Sequence, residues 1–393
     1  MQMFTYCVPT NVIFGKETET KVGKVIKEAG GNRVLVLYGG GSVVRSGLLD
    51  RVSVSLRDAG LIFFVKGGVR PNPILSFVEE TLTEMAGQNI DFILAVGGGS
   101  VLDTAKAVAM GLCDPENRVW DFFSQKRDPV KALPVGSVLT IAAAGSETSD
   151  SAVITNDVNH EKRGRNTPLN RPRFAIMNPE LTVTLPPMQT ACGVADIMMH
   201  TLDRYFSCTA GNETTDALAE ALLRTVIRYG AEVMEKPDSY EARSEIMWCG
   251  SLSHNDLTGL GRGKDFSVHQ LGHELSGKYD IPHGASLTIM WPAWARRVWR
   301  TDPARFARLG RNVFGITEDR EEQAALACIE AAETYFRSLG LPVTFGESSM
   351  GIVPESDLEE LALGCSRGRA RTIGNFCPLG HEDMLEVYRS ANC

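Results

Sequence analysis

Four of the seven histidines in this 393-residue chain, His200, His269, His273 and His283, fall in its second half at spacings that suit metal chemistry. Asp196 and His200 are four residues apart, as are His269 and His273, so on helices each pair shares one face. The first pair sits in Ala195-Asp-Ile-Met-Met-His-Thr-Leu-Asp203, an otherwise apolar setting. A carboxylate and an imidazole turned towards a core are costly unless they are paired or bound to a metal. His283 follows in Ile281-Pro-His-Gly-Ala285, where a turn can return it to the same place. Oxygen and nitrogen ligands without thiolate suit Zn2+ or Fe2+. Spacing does not choose which three of the four histidines would bind, and a lone histidine in such a place is more often a satisfied core or surface residue.

A second chemistry is written in glycine. Tyr38 runs into Gly39-Gly40-Gly41-Ser42, and Val96 into Gly97-Gly98-Gly99-Ser100. A strand, a glycine turn and a helix start leave backbone N–H groups and a positive dipole end open to a phosphate. Neither cluster is a Walker A loop or a full G-x-G-x-x-G. The second is the better candidate: Ser100 is placed to cap a helix on which Asp103 and Lys106 can reach back towards a nucleotide, the alternative for Lys106 being a solvated surface charge. After the first strand there is no acidic residue to meet a ribose 2′-hydroxyl, and Arg45 is near enough to meet a phosphate, so NADP(H) is favoured over NAD(H).

The elements that must position these groups divide at Leu185-Pro-Pro187. Before it, Arg33–Tyr38, Leu61–Val65, Asp91–Val96, Val138–Ile141 and Phe174–Met177 read as strands buried on both faces, which implies a parallel sheet. Helical patterns such as Ser42–Ala59 and Ile74–Gln88 lie between them, so residues 1–186 are predicted to form a Rossmann-like, doubly wound α/β dinucleotide-binding domain. After it the 3.6-residue period takes over, as in Asp216–Met234, and residues 187–393 are predicted to be an all-helical metal-binding domain. Trp248, Trp291, Trp294 and Trp299 offer aromatic surface there, for a substrate pocket, a core or a subunit interface.

Composition narrows the function classes. The net charge of -8 is dispersed, and Arg163, Arg165, Arg171 and Arg173 are interrupted by neutral residues, which disfavours a nucleic-acid partner. The opening MQMFTYCVPT lacks the pattern of a secretory leader and no apolar stretch reaches membrane-spanning length, so no membrane partner and a cytoplasmic location are expected. Nine scattered cysteines without C-x-x-C suggest neither a disulfide framework nor a thiolate metal site. Most are expected to be small buried hydrophobes, a nucleophilic Cys192, four residues before Asp196, being the minor alternative.

Along essentially its whole length the chain resembles the iron-containing alcohol dehydrogenases, in their butanol dehydrogenase and broad-specificity aldehyde reductase branch. The resemblance runs through Val8–Gly15, Gly67–Pro73, Ala95–Asp103, Gly145–Glu147, Leu185–Pro187, Gly193–His200 and His269–Gly284. It implies a dehydroquinate synthase-like architecture, with Asp196, His200, His269 and His283 as metal ligands and His273 as a nearby non-ligand histidine. It implies cofactor contacts at Gly40, Gly41, Ser42, Asn72, Gly98, Gly99, Ser100, Asp103, Thr140, Ser149, Lys162 and Leu181. A homodimer is also implied. Three positions depart from the family pattern: Asn178 stands where aspartate is usual, Asp203 where glutamate is usual, and Ala142-Ala-Ala144 where threonine is common.

The expected reaction is hydride exchange between a nicotinamide and a simple aldehyde or primary alcohol whose oxygen the metal polarises. His273 is expected to relay the proton, and Asp103 is counted with it among the residues serving catalysis. Two rival readings are a sugar-phosphate cyclising lyase of the same architecture and a non-catalytic nucleotide- or metal-binding protein. The lyase needs a dense basic cluster, whereas the histidine region offers only Arg262, Lys264 and Lys278.

Overall fold

A computed structural model describes residues 1–159 and 161–393. The chain forms two compact units, Cys7–Thr184 and Leu185–Cys393, the latter joined by Met1–Tyr6. The N-terminal residues group there, and not with the α/β unit as the 1–186 assignment expects. The Gln2 N–H donates to the Gly261 carbonyl at 2.8 Å and the terminal ammonium to the Ala210 carbonyl at 3.2 Å.

In the first unit the strands are β1 (Asn11–Phe14), β2 (Arg33–Tyr38), β3 (Ile62–Lys66), β4 (Phe92–Gly97), β5 (Val135–Leu139), β6 (Ser151–Asn156), β7 (Glu161–Asn166) and β8 (Phe174–Met177). Among the described residues, six of them form one parallel sheet in the order β1-β8-β5-β4-β2-β3. Strands β4 and β5 are buried along their whole length. A continuous apolar run is what a strand covered on both faces requires. The core beneath the sheet gathers Val22, Ile26, Val52 and Leu56 from the helices against Val34, Leu94 and Ile176 from the strands.

Four expectations are corrected here. Strand β3 is an edge strand, paired only with β2, and Ile62 and Val65 are exposed, so it is not buried on both faces. Strand β5 begins at Val135, which pairs with Ile93 of β4, and includes Gly136, where a Cβ would stand 2.3 Å from the Phe174 ring. The predicted Ser42–Ala59 helix is two helices, Ser42–Arg45 and Leu48–Asp58, broken at Gly47 with φ of 69°. Finally, the poorly patterned Asn156–Arg173 stretch contains β7, which pairs antiparallel with β6. His160, which lies in this stretch, is outside the described residues.

The second unit is helical, opened by Pro186 and Pro187 at the start of helix Pro187–Tyr205. Helices Glu213–Glu235, Tyr240–His254, Ser267–Tyr279 and His283–Val298 follow, the first extending the predicted Asp216–Met234. Trp291 and Trp294 are fully buried, and Trp294 packs on Phe206 and Phe376 at ring separations of 5.3 and 6.3 Å. Those two tryptophans are therefore core, not pocket surface; Trp299 is also buried, and Trp248 is exposed. Among the described residues no helix is long and apolar enough to cross a membrane.

Candidate functional site

Helix Pro187–Tyr205 is buried almost throughout its C-terminal two-thirds and turns Asp196 and His200 to one face. Helix Ser267–Tyr279 brings His269, and after it Asp280 adopts φ of 51°. That left-handed residue and the extended Pro282 reverse the chain, so that His283 becomes the first residue of helix His283–Val298. Gly284 lets this helix close on the first: a Cβ there would lie 2.3 Å from the Cys192 carbonyl oxygen and 2.6 Å from its Cα. We therefore expect Gly284→Ala to prise His283 away from Asp196, costing about 1–3 kcal/mol of stability and lowering metal retention. Thermal melting and metal content after dialysis check it; a variant with unchanged melting and full metal would refute the tight approach.

Three imidazole nitrogens surround one carboxylate oxygen. Asp196 Oδ1 lies 3.4 Å from His200 Nε2, 3.7 Å from His269 Nε2 and 3.8 Å from His283 Nε2. Four ligands in a tetrahedron about 2.1 Å from a metal stand roughly 3.4 Å from one another. Asp196 Oδ1 and His269 Nε2 are buried and make no hydrogen bond. Leaving such atoms unsatisfied costs about 1–3 kcal/mol each, and a divalent cation among them removes that cost. Asp196, His200 and His269 offer ligand atoms all within 4.8 Å of one another. The donor set thus fits a metal ion.

The two buried rings differ in their electrostatics. Burial, then the neighbouring His254 and His269 rings and Arg204, hold the His200 pKa well below the usual histidine value, so the ring is neutral and has a lone pair to give. Burial pulls His269 the same way, but the carboxylates of Asp196 and Asp203 outweigh it and raise its pKa to about 9. A metal at Nε2 competes with that proton.

Spacing missed three participants. Asp203 Oδ2 stands 2.5 Å from His269 Nδ1 and is almost fully buried. Its signal was present, since residue 203 is two helical turns from Asp196 and shares its face. The His254 ring stacks on that of His200 at 3.9 Å, and the Arg204 guanidinium donates to the His200 carbonyl at 2.7 Å. His273 is half-buried, with ring centres 6.3 Å from His269 and 5.2 Å from His283. Cys192 is unsuited to be a nucleophile: burial, with Asp196 adding to it, pushes its thiol up to about 11.

In the α/β unit Gly98, with extended ψ of -164°, precedes a fifteen-residue helix, Gly99–Cys113. The Val101 and Leu102 N–H groups donate to the Gly98 carbonyl. Ser100 is consequently inside the first turn and does not cap it. Thr140 joins this turn through its N–H to the Gly97 carbonyl at 3.1 Å, and Asp103 accepts from the Ser146 hydroxyl at 2.8 Å. Ser149 is buried in the same connection between β5 and β6. Lys162, on β7, donates to Asn72 Oδ1 at 2.9 Å, so the hairpin unites two residues far apart in sequence. Gly40, Gly41 and Ser42 form an exposed turn, with Arg45 Nη1 standing where it would be 2.6 Å from a Cβ on Gly41. Leu181 packs against the core beneath the sheet. Asn178 is accounted for by its neighbour: its amide donates to the buried Glu19 carboxylate at 3.0 Å, where an aspartate would repel.

Comparison with known proteins gives a consistent result. A family model described as iron-containing alcohol dehydrogenase matches residues 9–179, and one described as Fe-containing alcohol dehydrogenase family, C-terminal, matches residues 190–392. The chain is 39% identical to NADH-dependent butanol dehydrogenase A of Clostridium acetobutylicum, covering 100% of both chains. It is 35% identical to NADPH-dependent aldehyde reductase YqhD of Escherichia coli, covering 87% of this chain and 88% of that one. The crystal structure of NADH-dependent butanol dehydrogenase A from Thermotoga maritima superposes with a TM-score of 0.95 at 36% identity, covering 100% of this chain and 99% of that one.

Proposed function

We propose, since the chain belongs to the iron-containing alcohol dehydrogenase family, that it transfers a hydride between a nicotinamide coenzyme and simple aldehydes or primary alcohols. The observation that carries this reading is the convergence of three imidazole Nε2 atoms on Asp196 Oδ1, those of His200 and His269 buried and that of His283 half-buried. When bound, a divalent ion supplies Lewis-acid polarisation of the substrate oxygen, and the nicotinamide gives or takes the hydride.

The chain's own residues do the rest. Asp196, His200, His269 and His283 hold the ion, Fe2+ or Zn2+, and Asp203 fixes the His269 ring so that Nε2 faces it. In aldehyde reduction one proton must reach the substrate oxygen, and a ring nitrogen of His273, one helical turn beyond His269, delivers it. The turn Gly98–Ser100 offers its N–H groups and the dipole of a fifteen-residue helix to the coenzyme diphosphate. The helix behind Gly41 has only four residues, so that turn shapes the site more than it binds charge. NADP(H) is the preferred coenzyme in this reading, because the Arg45 guanidinium lies over Gly41; relatives bear both NADH- and NADPH-dependent names. A homodimer in the cytoplasm is the expected assembly and location.

The lyase reading gains no support. Arg262, Lys264 and Lys278 are engaged by Asp216, Asp256 and Glu360 respectively, so they form no phosphate cradle. Kinetics of metal-replete protein with butyraldehyde and longer and shorter aldehydes, using NADPH and NADH in turn, test the proposal. Steady coenzyme oxidation, faster with NADPH, is expected. Absence of turnover with every aldehyde would overturn the dehydrogenase reading, and elemental analysis of the same preparation identifies the metal.

A further inference from the structure

Lys106 reads in sequence as a nucleotide contact or a surface charge, and the fold makes it neither. Its side chain is 1% exposed, and Nζ donates to the Ser146 carbonyl at 2.7 Å, the Ser146 hydroxyl at 2.8 Å and the Ser151 carbonyl at 2.7 Å, with the Ser149 carbonyl at 3.4 Å. An ammonium has three N–H donors, so the three short bonds use them all. Every acceptor belongs to one segment, Ser146–Ser151, that leads from the β5–β6 connection into the first residue of β6. Asp103, three residues earlier on the same helix face, grips the same segment and the strand that follows it: Oδ1 accepts from the Ser146 hydroxyl at 2.8 Å and Oδ2 from the Val153 N–H of β6 at 3.0 Å.

The residues just before that segment, in the same β5–β6 connection, lie on the glycine turn. A Cβ on Gly98 would meet the Ile141 side chain at 3.0 Å, and one on Gly99 would meet Ala144 Cβ at 3.8 Å. Burial pulls the Lys106 pKa down to about 8 against the opposing charges of Asp103, Glu147 and Asp150, so the charged form prevails near neutral pH. Burying a charge is costly, and a methionine would fill the same space without that cost. Here the ammonium ties an irregular segment to the helix behind the turn.

We propose that Lys106 is a positioning residue for coenzyme binding, a buried ammonium that clamps Ser146–Ser151 and thereby the β5–β6 connection that packs on the Gly97–Ser100 turn, without itself touching the nucleotide. The inference rests on the nucleotide reading above. It is tested on the full-length, metal-loaded protein by titrating NADPH and NADH and following nucleotide fluorescence. Losing a set of charge-assisted hydrogen bonds, Lys106→Met is expected to raise the coenzyme Kd at least about 10-fold. Metal content should stay at the wild-type level, and kcat at saturating coenzyme within about threefold, a small fraction of one barrier step. An unchanged Kd in the folded variant overturns the clamp, and so does parallel loss of metal, which marks a merely structural residue. If Lys106→Met does not fold, Ser146→Ala, which removes only the hydroxyl between Lys106 and Asp103, should shift Kd in the same direction; a wild-type value there also overturns it. Wild-type protein that binds neither coenzyme would instead sink the nucleotide reading itself.

Discussion

His269→Ala is expected to release the metal and lower turnover by at least about 10³-fold, which corresponds to roughly 4 kcal/mol of transition-state stabilisation. The side chain holds one of three nitrogens packed around Asp196 Oδ1 and is nearly fully buried. His273 does not take its place, because it stands a turn away and its ring centre is 6.3 Å from that of His269. Coenzyme affinity should be unaffected, since the glycine turn and the β5–β6 connection belong to the other compact unit. Elemental analysis, kcat and a coenzyme titration on the same sample check all three parts. Turnover surviving without metal would show that the histidine cluster is structural. His273→Ala provides the contrast: it should keep its metal and coenzyme affinity and lose kcat, as a proton relay requires. Loss of metal from that variant would make His273 a ligand.

Asp203→Asn is expected to weaken metal binding about 10- to 100-fold, the usual consequence of removing a partner that orients a histidine ligand. The carboxylate meets His269 Nδ1 at 2.5 Å, which puts the ring proton on Nδ1 and leaves the Nε2 lone pair for the metal. With Asp196, it also raises the basicity of the ring against the effect of burial. An asparagine keeps the volume but drops the charge and can present N–H in place of oxygen. Chelator competition measures the affinity, and the circular dichroism melt of the metal-free variant reports folding separately. Asp203→Glu keeps the carboxylate, the residue usual in the family, and should recover most of the affinity. Wild-type affinity in Asp203→Asn would reduce Asp203 to a space-filling role.

What was legible in sequence followed from short-range periodicity. The four-residue spacings put Asp196 with His200 and His269 with His273 before any fold was known, because 3.6 residues per turn leave little choice. Strands β2 and β8 carry their predicted limits, Arg33–Tyr38 and Phe174–Met177, since an unbroken apolar run suits a strand covered on both faces. The edge position of β3 was not legible: its apolar residues match those of a central strand, and only its pairing partners distinguish the two. The β6–β7 hairpin escaped notice because Glu161–Asn166 is polar throughout, its place held by backbone bonds to β6.

By itself the sequence determined the cast of the metal centre: one carboxylate and a set of histidines, two of the pairs at helical spacing, and a turn in Ile281–Ala285 that could return His283. Only the tertiary structure decided how they meet. It brought helices far apart in sequence together at Gly284 and Cys192, which set three Nε2 atoms around one oxygen, and it seated Asp203 behind His269. It also took Lys106 from the surface into the interior. The physical reason is common to all three. Periodicity determines which face a side chain occupies, but whether that face meets solvent, a carbonyl or another ligand depends on packing between segments remote in the chain.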